Sequence, residues 1–199
     1  MICRSCKSDK LNLMVDLGHT PPSNAFLSKK DLKNSELFYP LKIYVCSNCW
    51  LVQTHDVVDN KKLFNSNYPY LSSYSDTFLS HNKKYAENII RRFEVNERHR
   101  CLEIASNDGY LQEIFAESGI KLLGIEPTNL AASIAKSKGH KVIEVFFNHK
   151  FSKELIKKQG HFDLIIANNV FAHVPDINDF ISGVRTCLSK NGIITIENP

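Results

Sequence analysis

Beyond residue 100, short apolar runs alternate with segments whose apolar residues recur at helical spacing. We predict strands at CLEIA, KLLGIE, KVIEVFF, FDLIIANN and GIITIE, helices at YLQEIFAES, NLAASIAKSK, FSKELIKKQ and DINDFISGVRTCL, and a turn at KNG. Buried parallel strands are continuous apolar runs, and strands that alternate with helices form crossover units. The pattern therefore predicts an α/β domain with a doubly wound, Rossmann-like parallel sheet and helices on both faces.

The residues before this domain fall into parts of different composition. Residues 1–60 are loop-rich and contain the strand-like LKIYVC, whereas residues 61–76 are rich in Tyr, Ser and Asn, as in a connector. From Ser75 onward, apolar residues at helical spacing predict an amphipathic helix capped by Ser75 or Asp76. We divide the chain into a small N-terminal domain (1–60), a connector (61–76) and the Rossmann-like domain (77–199). Because the chain stops directly after the fifth predicted strand, we expect that domain to be incomplete at its C-terminus and the chain to be truncated.

The composition is that of an ordinary globular protein, with 199 residues, 43% hydrophobic and 23% charged. No apolar run approaches the roughly 18 residues that span a bilayer, and MICRSCKSDK lacks the apolar core of a secretory signal. The net charge of +4 is mild, and residues 1–60 carry seven Lys/Arg against six Asp/Glu. We therefore expect a cytoplasmic protein that binds neither nucleic acid nor a membrane.

Four of the six cysteines form two C-x-x-C pairs, CRSC and CSNC, which are 39 residues apart. A structural Zn²⁺ takes four soft ligands in a tetrahedron, and a domain with a small core gains folding energy from the metal. We predict a structural zinc site formed by Cys3, Cys6, Cys46 and Cys49. Free thiols or a redox dithiol are the alternative, although neither pair begins a predicted helix. Cys101 and Cys187 are interpreted as small apolar core residues.

The first strand of the α/β domain ends in an acidic loop with a single glycine, residues 106–109. A dinucleotide site needs several glycines so that the pyrophosphate can approach the backbone, and Glu103 and Asp108 would repel that anion. Glu126, which ends the second strand, is placed to accept hydrogen bonds from ribose hydroxyls. A cationic cofactor without phosphate fits these acids, so we predict S-adenosylmethionine rather than NAD or FAD. Each acid alone could instead cap a helix or face solvent.

Several motifs together carry a family resemblance. LEIASNDGYL, GIEP, Val145–Phe147 and NNVFAHVPD resemble class I S-adenosylmethionine-dependent methyltransferases. With CRSC…CSNC, LGHTPPSNAFL and YPYLSSYS, nearly the whole chain resembles the zinc-domain-bearing sugar C-methyltransferases, which methylate C3 of nucleotide-linked 4-keto-deoxysugars. Family members continue with a further domain, whose Tyr-His-Glu-His-type segment supplies the general base. This chain lacks that segment, so we expect it to be inactive in isolation.

The resemblance also implies roles for individual residues. At the methionine end of the cofactor it implies contacts from Glu103, Ala105, Asn107 and Gly109. At the ribose and adenine it implies Glu126 and Pro127, with Phe146 or Phe147 packed on the adenine. At the ammonium it implies Asn168 and Asn169. For catalysis it implies His173, near the transferred methyl, and Tyr68, in a connector that folds over the mouth of the site. The alternatives are core packing for the two phenylalanines, a structural role for His173, and a hydrophobic clamp between domains for Tyr68.

The function expected from the sequence is therefore methyl transfer from S-adenosylmethionine to carbon of a nucleotide-linked sugar, a small-molecule substrate. Two alternatives stay open. The chain could belong to an O- or N-methyltransferase that acts on another small molecule, or it could be a non-catalytic module that combines a zinc site with a Rossmann-like domain.

Overall fold

A computed structural model describes residues 1–54, 58–64 and 68–198. The chain divides into two compact units. The first comprises Met1–Tyr68 together with Pro175–Asn178, and the second comprises the rest. In the first unit the side chain of Asn178 donates a hydrogen bond to the carbonyl of Ser5 (2.8 Å), which explains why this short later segment belongs there.

The first unit is built on a three-stranded antiparallel sheet in the order β1-β2-β3. Its elements are β1 (Leu11–Thr20), a 3₁₀ turn (Asp31–Lys33), β2 (Tyr39–Cys46), β3 (Val52–Thr54) and the short helix α1 (Asn60–Leu63). The sequence pattern predicted β2 but not β1, because the β1 register shifts between Leu13 and Val15 and apolar residues therefore occupy consecutive positions. Most of β1 is exposed.

The second unit contains a five-stranded parallel sheet in the order β6-β5-β4-β7-β8. The strands are β4 (Cys101–Ile104), β5 (Leu122–Ile125), β6 (Lys141–Ile143), β7 (Phe162–Asn168) and β8 (Leu188–Glu197). The helices are α2 (Asp76–Phe93), α3 (Tyr110–Ala116), α4 (Asn129–Ser137), α5 (His149–Gln159) and α6 (Ile177–Cys187), with 3₁₀ turns at Ser72–Tyr74 and Phe171–His173. The order reverses at β4, as a doubly wound sheet requires.

Two apolar cores cover the two faces of this sheet. Alternate residues of β7 point to opposite faces, so Leu164 and Ile166 pack with α2 and α3, whereas Ile165 packs with α5 and α6. Phe115 anchors the first core and is fully buried. The prediction of an α/β fold with a doubly wound sheet and helices on both faces is confirmed.

Two local predictions differ from the structure. The third strand, β6, ends at Ile143, whereas the apolar run was predicted to continue to Phe147. The predicted KNG turn lies inside β8, where the register shifts between the pairs Phe162↔Leu188 and Leu164↔Ile193. The polar residues occupy this irregularity, so the strand continues through them.

Helix α2 begins and ends with distinct caps. Ser75 is the N-cap, since its Oγ accepts a hydrogen bond from the N–H of Phe78 (3.2 Å), which confirms the first of the two predicted caps. At the other end, Glu94 takes the left-handed conformation with φ of 53°. No helix in the described part of the chain is both long and apolar enough to cross a membrane.

We predict that Ile165→Ala lowers the free energy of unfolding by about 2–5 kcal/mol, because Ile165 is fully buried and truncation leaves a cavity. The matched substitution Ile181→Ala, at a residue that is 50% exposed, should change it by no more than about 0.5 kcal/mol. Urea unfolding followed by far-UV circular dichroism measures both. Equal losses would contradict the assignment of the core.

Candidate functional site

The two cysteine pairs adopt the same local turn. The N–H of Lys7 donates to the carbonyl of Cys3 (3.1 Å), and the N–H of Trp50 donates to the carbonyl of Cys46 (2.8 Å). Lys7 and Trp50 each follow the second cysteine of their pair, and both are left-handed, with φ of 61° and 64°. The two pairs are therefore conformationally alike and can present their thiols in the same way.

The four thiols of Cys3, Cys6, Cys46 and Cys49 converge, with all Sγ atoms within 4.8 Å of one another. The separations are 3.5 Å between Cys3 and Cys49 and 3.6 Å between Cys6 and Cys46. Four sulfurs bound tetrahedrally to Zn²⁺ at about 2.3 Å lie about 3.8 Å apart. The donor set therefore fits a structural zinc ion that is fully coordinated by the protein.

The buried side chain of Gln53, on β3, supports this cluster. Its Nε2 donates a hydrogen bond to Cys3 Sγ (3.4 Å), and its Oε1 accepts one from the N–H of Arg4 (2.9 Å). Such contacts outside the coordination sphere orient ligands and partly neutralise their charge. The sequence analysis did not identify Gln53, because its partner Cys3 lies 50 positions away along the chain.

The thiols influence one another's ionisation. Burial alone would raise the pKa of Cys3. Hydrogen bonds, of which the one from Gln53 has the largest effect, outweigh burial and lower this pKa to about 6. For Cys49, a backbone hydrogen bond with Leu51 lowers the pKa of the thiol. Burial and the other three thiols outweigh that bond and raise this pKa to about 12. Four thiolates cannot coexist here without a cation, and a divalent ion removes that conflict.

A second candidate site lies at the carboxyl end of the parallel sheet. The loop after β4 is tight, since the N–H groups of Ala105 and Ser106 both donate to the carbonyl of Ile125 (2.7 and 3.1 Å). Ala105, Asn107 and Gly109 have positive φ. A Cβ at Gly109 would lie 2.8 Å from the ring of His140, which explains why the loop keeps one glycine there.

Three carboxylates are buried around this loop: Glu103, Asp108 and Glu126. Glu126 is well satisfied, because its Oε1 accepts from the N–H (2.8 Å) and hydroxyl (2.6 Å) of Thr128, and its Oε2 accepts from the N–H of Asn107 (2.9 Å). In contrast, Glu103 Oε2 and Asp108 Oδ1 are buried with no hydrogen-bond partner among the described residues. The cluster therefore has unused acceptors that a ligand can fill.

The same burial disfavours negative charge. Burial first, and then the charges of Glu126 and Asp108, raise the pKa of Glu103 well above its ordinary value. Burial also raises the pKa of Glu126, although hydrogen bonds from Thr128 and Asn107 oppose that shift. A ligand with donors and positive charge would relieve both effects. The buried acceptor oxygens therefore fit the positive charge of the sulfonium and ammonium of S-adenosylmethionine, and Glu126 lies where a ribose hydroxyl could donate to it.

The structure brings most predicted cofactor residues to this edge. Glu103 lies within β4, and Ala105, Asn107 and Gly109 follow it. Glu126 and Pro127 follow β5, and Asn168 and Asn169 lie at the end of the neighbouring β7. Phe147 packs against Phe151 and Phe180, with ring centroids 6.4 and 5.4 Å apart, and Phe146 is half-buried after β6. These ring contacts of Phe147 are those expected of a core residue, which was the alternative to a contact with the adenine.

The two predicted catalytic residues lie in different units. His173 is exposed in the 3₁₀ turn after β7, and burial of part of its ring lowers the pKa of its imidazole. Tyr68 belongs to the first unit, where its ring contacts Phe64 (centroids 5.1 Å apart) and its hydroxyl accepts from Asn24 (3.4 Å). The roles of both residues stay predictions.

Helix α2 contributes two polar pairs that the sequence analysis did not identify. His81 Nε2 lies 3.0 and 2.9 Å from the two carboxylate oxygens of Glu197, at the end of β8. One turn later the hydroxyl of Tyr85 lies 2.5 Å from Thr195 Oγ1, and burial raises the pKa of Tyr85 to about 12. The i, i+4 spacing of His81 and Tyr85 in a predicted amphipathic helix was the available signal.

Comparison with known families tests these assignments. Residues 78–199, more than half of the chain, match the family described as "Methyltransferase domain". The chain belongs to this methyltransferase family. Residues 3–64 match a second family, described as "Putative zinc binding domain". The predicted class, a methyltransferase with S-adenosylmethionine and zinc as cofactors, is confirmed.

Curated relatives match different parts of the chain. The C-methyltransferase NovU of Streptomyces niveus is 28% identical over 197 residues, which cover 99% of this chain and 47% of NovU. A ubiquinone biosynthesis O-methyltransferase of Rhodopseudomonas palustris (strain HaA2) is 31% identical over 116 residues, which cover 53% of this chain and 45% of that protein. The chain therefore spans about half the length of the curated relatives it matches.

Solved structures resemble the fold at low sequence identity. A Methanococcus maripaludis protein described as a "putative s-adenosyl-l-methionine-dependent methyltransferase" has a TM-score of 0.51 at 17% identity, covering 63% of this chain and 59% of that protein. A Pyrococcus horikoshii OT3 protein has a TM-score of 0.50 at 15% identity, covering 69% and 60% of the two chains. Both comparisons support the fold alone.

We predict that Cys46→Ser removes the bound zinc, because the hydroxyl that replaces the thiol is a poor zinc ligand and leaves three thiolates. The zinc content per chain is measured by plasma mass spectrometry after dialysis against a chelator. Cys187→Ala, which changes a fully buried cysteine outside the cluster, should keep one zinc per chain. Full zinc content in Cys46→Ser would contradict the four-cysteine site.

Glu103 should make the ligand-free protein less stable as the pH rises. Because its pKa is raised in the folded state, the folded state holds the proton more tightly than the unfolded chain does, and stability declines above the ordinary value of 4.5. We predict that Glu103→Gln makes this decline shallower and raises stability at neutral pH, while it weakens binding of S-adenosylmethionine. Urea unfolding at several pH values and calorimetry measure the two effects.

Glu87→Gln, at an exposed position of α2, controls for the loss of one carboxylate elsewhere in the same unit. It should have the pH dependence and the affinity of the original protein. If Glu103→Gln and Glu87→Gln behaved alike, the buried carboxylate would not be the source of either effect.

Proposed function

We propose that the protein transfers the methyl group of S-adenosylmethionine to a carbon atom of a nucleotide-linked 4-keto-deoxysugar. One observation carries the choice of carbon as the acceptor. The similarity to the C-methyltransferase NovU extends over 99% of the chain and so includes the zinc-binding part, whereas the ubiquinone O-methyltransferase from strain HaA2 matches only 53%. The combination of both domains therefore favours the C-methyltransferase.

The acidic edge of the sheet supports the cofactor part of the proposal. When bound, S-adenosylmethionine supplies an electrophilic methyl group on a positively charged sulfur. Glu126 is held by Thr128 and Asn107 in a fixed orientation, suited to accept hydrogen bonds from ribose hydroxyls. Glu103 and Asp108 have buried acceptor oxygens to offer the cationic end. These residues bind and orient, which is the main task of the protein in such a displacement.

The acceptor part of the proposal requires removal of a proton from carbon. A ketone next to that carbon makes the proton acidic enough for a positioned base to remove, and the resulting enolate oxygen needs a donor. In our proposal, the side chain of His173 or that of Tyr68 provides that donor. The zinc ion has a structural task, because four thiolates complete its coordination.

Other predicted properties belong to this proposal. They are the domain limits at residues 60 and 76, the contacts of Phe146, Asn168 and Asn169 with the cofactor, and a cytoplasmic location, where nucleotide sugars are available as substrates. The runner-up function is O-methylation of another small molecule, which the ubiquinone O-methyltransferase similarity over the methyltransferase part favours.

The proposal is tested by incubating the protein that carries this chain with trideuteriomethyl S-adenosylmethionine and a series of nucleotide-linked 4-keto-deoxysugars. We expect the label on the carbon next to the ketone, located by NMR of the product. Label on oxygen or nitrogen would select the alternative methyltransferase. Calorimetry of the 199-residue chain with S-adenosylhomocysteine separates both from a non-catalytic module, which would give no binding heat.

A further inference from the structure

The acidic loop after β4 also binds the segment that precedes helix α2. Asn107 Oδ1 accepts a hydrogen bond from the N–H of Ser72 (2.8 Å), and its Nδ2 donates to the carbonyl of Tyr70 (3.3 Å). Next to it, Asp108 Oδ2 accepts from the N–H of Ser73 (3.4 Å). One side of this loop thus satisfies three backbone groups of the connector, from Tyr70, Ser72 and Ser73.

Asn107 also faces the cofactor side of the loop. Its backbone N–H donates to Glu126 Oε2 (2.9 Å), the acid that is available to the ribose. The residue is left-handed, with φ of 48°, a conformation that asparagine adopts more readily than most residues. In this conformation the backbone contacts Glu126 while the side chain contacts the connector, so a single residue joins two parts of the unit.

Within the bound part of the connector, the N–H of Tyr74 donates a turn hydrogen bond to the carbonyl of Leu71 (3.3 Å). Leu71 and Ser72 are buried (7% and 6% exposed), whereas Tyr70 and Tyr74 are 47% and 77% exposed. The 3₁₀ turn Ser72–Tyr74 has no side-chain cap of its own at Leu71, and Asn107 provides the acceptor for the first N–H of that turn. Loss of the Asn107 side chain would therefore free this backbone directly.

We propose that Asn107 is a positioning residue that couples the binding of the cofactor to the ordering of connector residues 70–73. This inference rests on the proposed function, because it takes the ligand at Glu126 to be the nucleoside of S-adenosylmethionine. A ligand that fixes Glu126 also fixes the Asn107 backbone, which orients the side chain for Tyr70 and Ser72. Coupling is reciprocal, so an ordered connector must raise the affinity for the ligand by the same factor.

The test compares Asn107→Gly with two other variants of the 199-residue chain. Glycine keeps the left-handed backbone without strain and removes only the side chain. Glu94→Gly is the matched control, since Glu94 is also left-handed but caps the far end of α2. Asn107→Asp is the conservative variant, because it keeps an oxygen that can accept from Ser72 but cannot donate to Tyr70.

Two measurements are made with S-adenosylhomocysteine as the probe: its affinity by calorimetry, and amide exchange at Ser72 by NMR with and without it. We expect the ligand to slow exchange at Ser72 in the original chain and in Glu94→Gly. In Asn107→Gly, exchange should be about tenfold faster without ligand and insensitive to it, and affinity about tenfold weaker, as for the loss of about two hydrogen bonds. Asn107→Asp should recover slow exchange at Ser72.

The outcomes separate this inference from the proposed function. If the original chain binds the probe and Asn107→Gly matches it in affinity and in the ligand effect at Ser72, the coupling is wrong while the cofactor site stands. Failure of Asn107→Asp to restore slow exchange would also overturn the role given to Oδ1. If the original chain does not bind the probe, the proposed function fails, and the coupling fails with it.

Discussion

The burial of three carboxylates at the ends of two neighbouring strands is the constraint on which this molecule depends. Negative charge in a low-dielectric site is costly unless donors or cations compensate it. Glu126 has its donors within the protein, whereas Glu103 and Asp108 each have a buried oxygen without one among the described residues. The ligand-free protein is therefore held in an unfavourable electrostatic state, and a cationic ligand gains affinity from its relief.

The topology of the sheet produces this concentration of acid. With the order β6-β5-β4-β7-β8, strand β4 is central, and the ends of β5 and β7 lie on either side of it. Glu103 is within β4, Glu126 follows β5, and Asn168 ends β7. Three neighbouring strands thus carry polar groups at or near their carboxyl ends. The loop after β4 has little space, as the close approach of His140 to Gly109 shows. In our proposal, a loop of this shape binds a nucleoside through acids at strand ends rather than a pyrophosphate through exposed backbone.

The sequence predicted those features that depend on local patterns. The apolar runs gave the five parallel strands, Ser75 gave a helix cap, and the spacing of Cys3, Cys6, Cys46 and Cys49 gave the metal site. It did not predict β1, where a register shift obscures the alternation, or the continuation of β8 through KNG.

Contacts between distant segments were also beyond sequence reasoning. Gln53 reaches Cys3 from 50 positions away, and Asn107 reaches Ser72 from 35 positions away. Gln53 has no local signature that distinguishes it from an ordinary polar surface residue. Asn107 was predicted as a cofactor residue, but its contacts with the connector exist only once the chain has folded. The acids could be predicted from their places at strand ends, but the groups that hold or oppose their charge could not.

The enclosure of two of the cysteines has a consequence for how the protein exchanges its metal. Cys3 and Cys46 have no solvent-accessible surface, and Cys46 ends a strand that is paired to Leu11. A chelator attacks the metal ion rather than the sulfurs and can approach it from the side of the partly exposed Cys6 and Cys49, but release of the ion from Cys3 and Cys46 requires the end of β2 to separate from β1. The lifetime of the bound ion is then set by how often this small sheet opens, and the ion is retained kinetically even where a chelator in solution has the higher affinity.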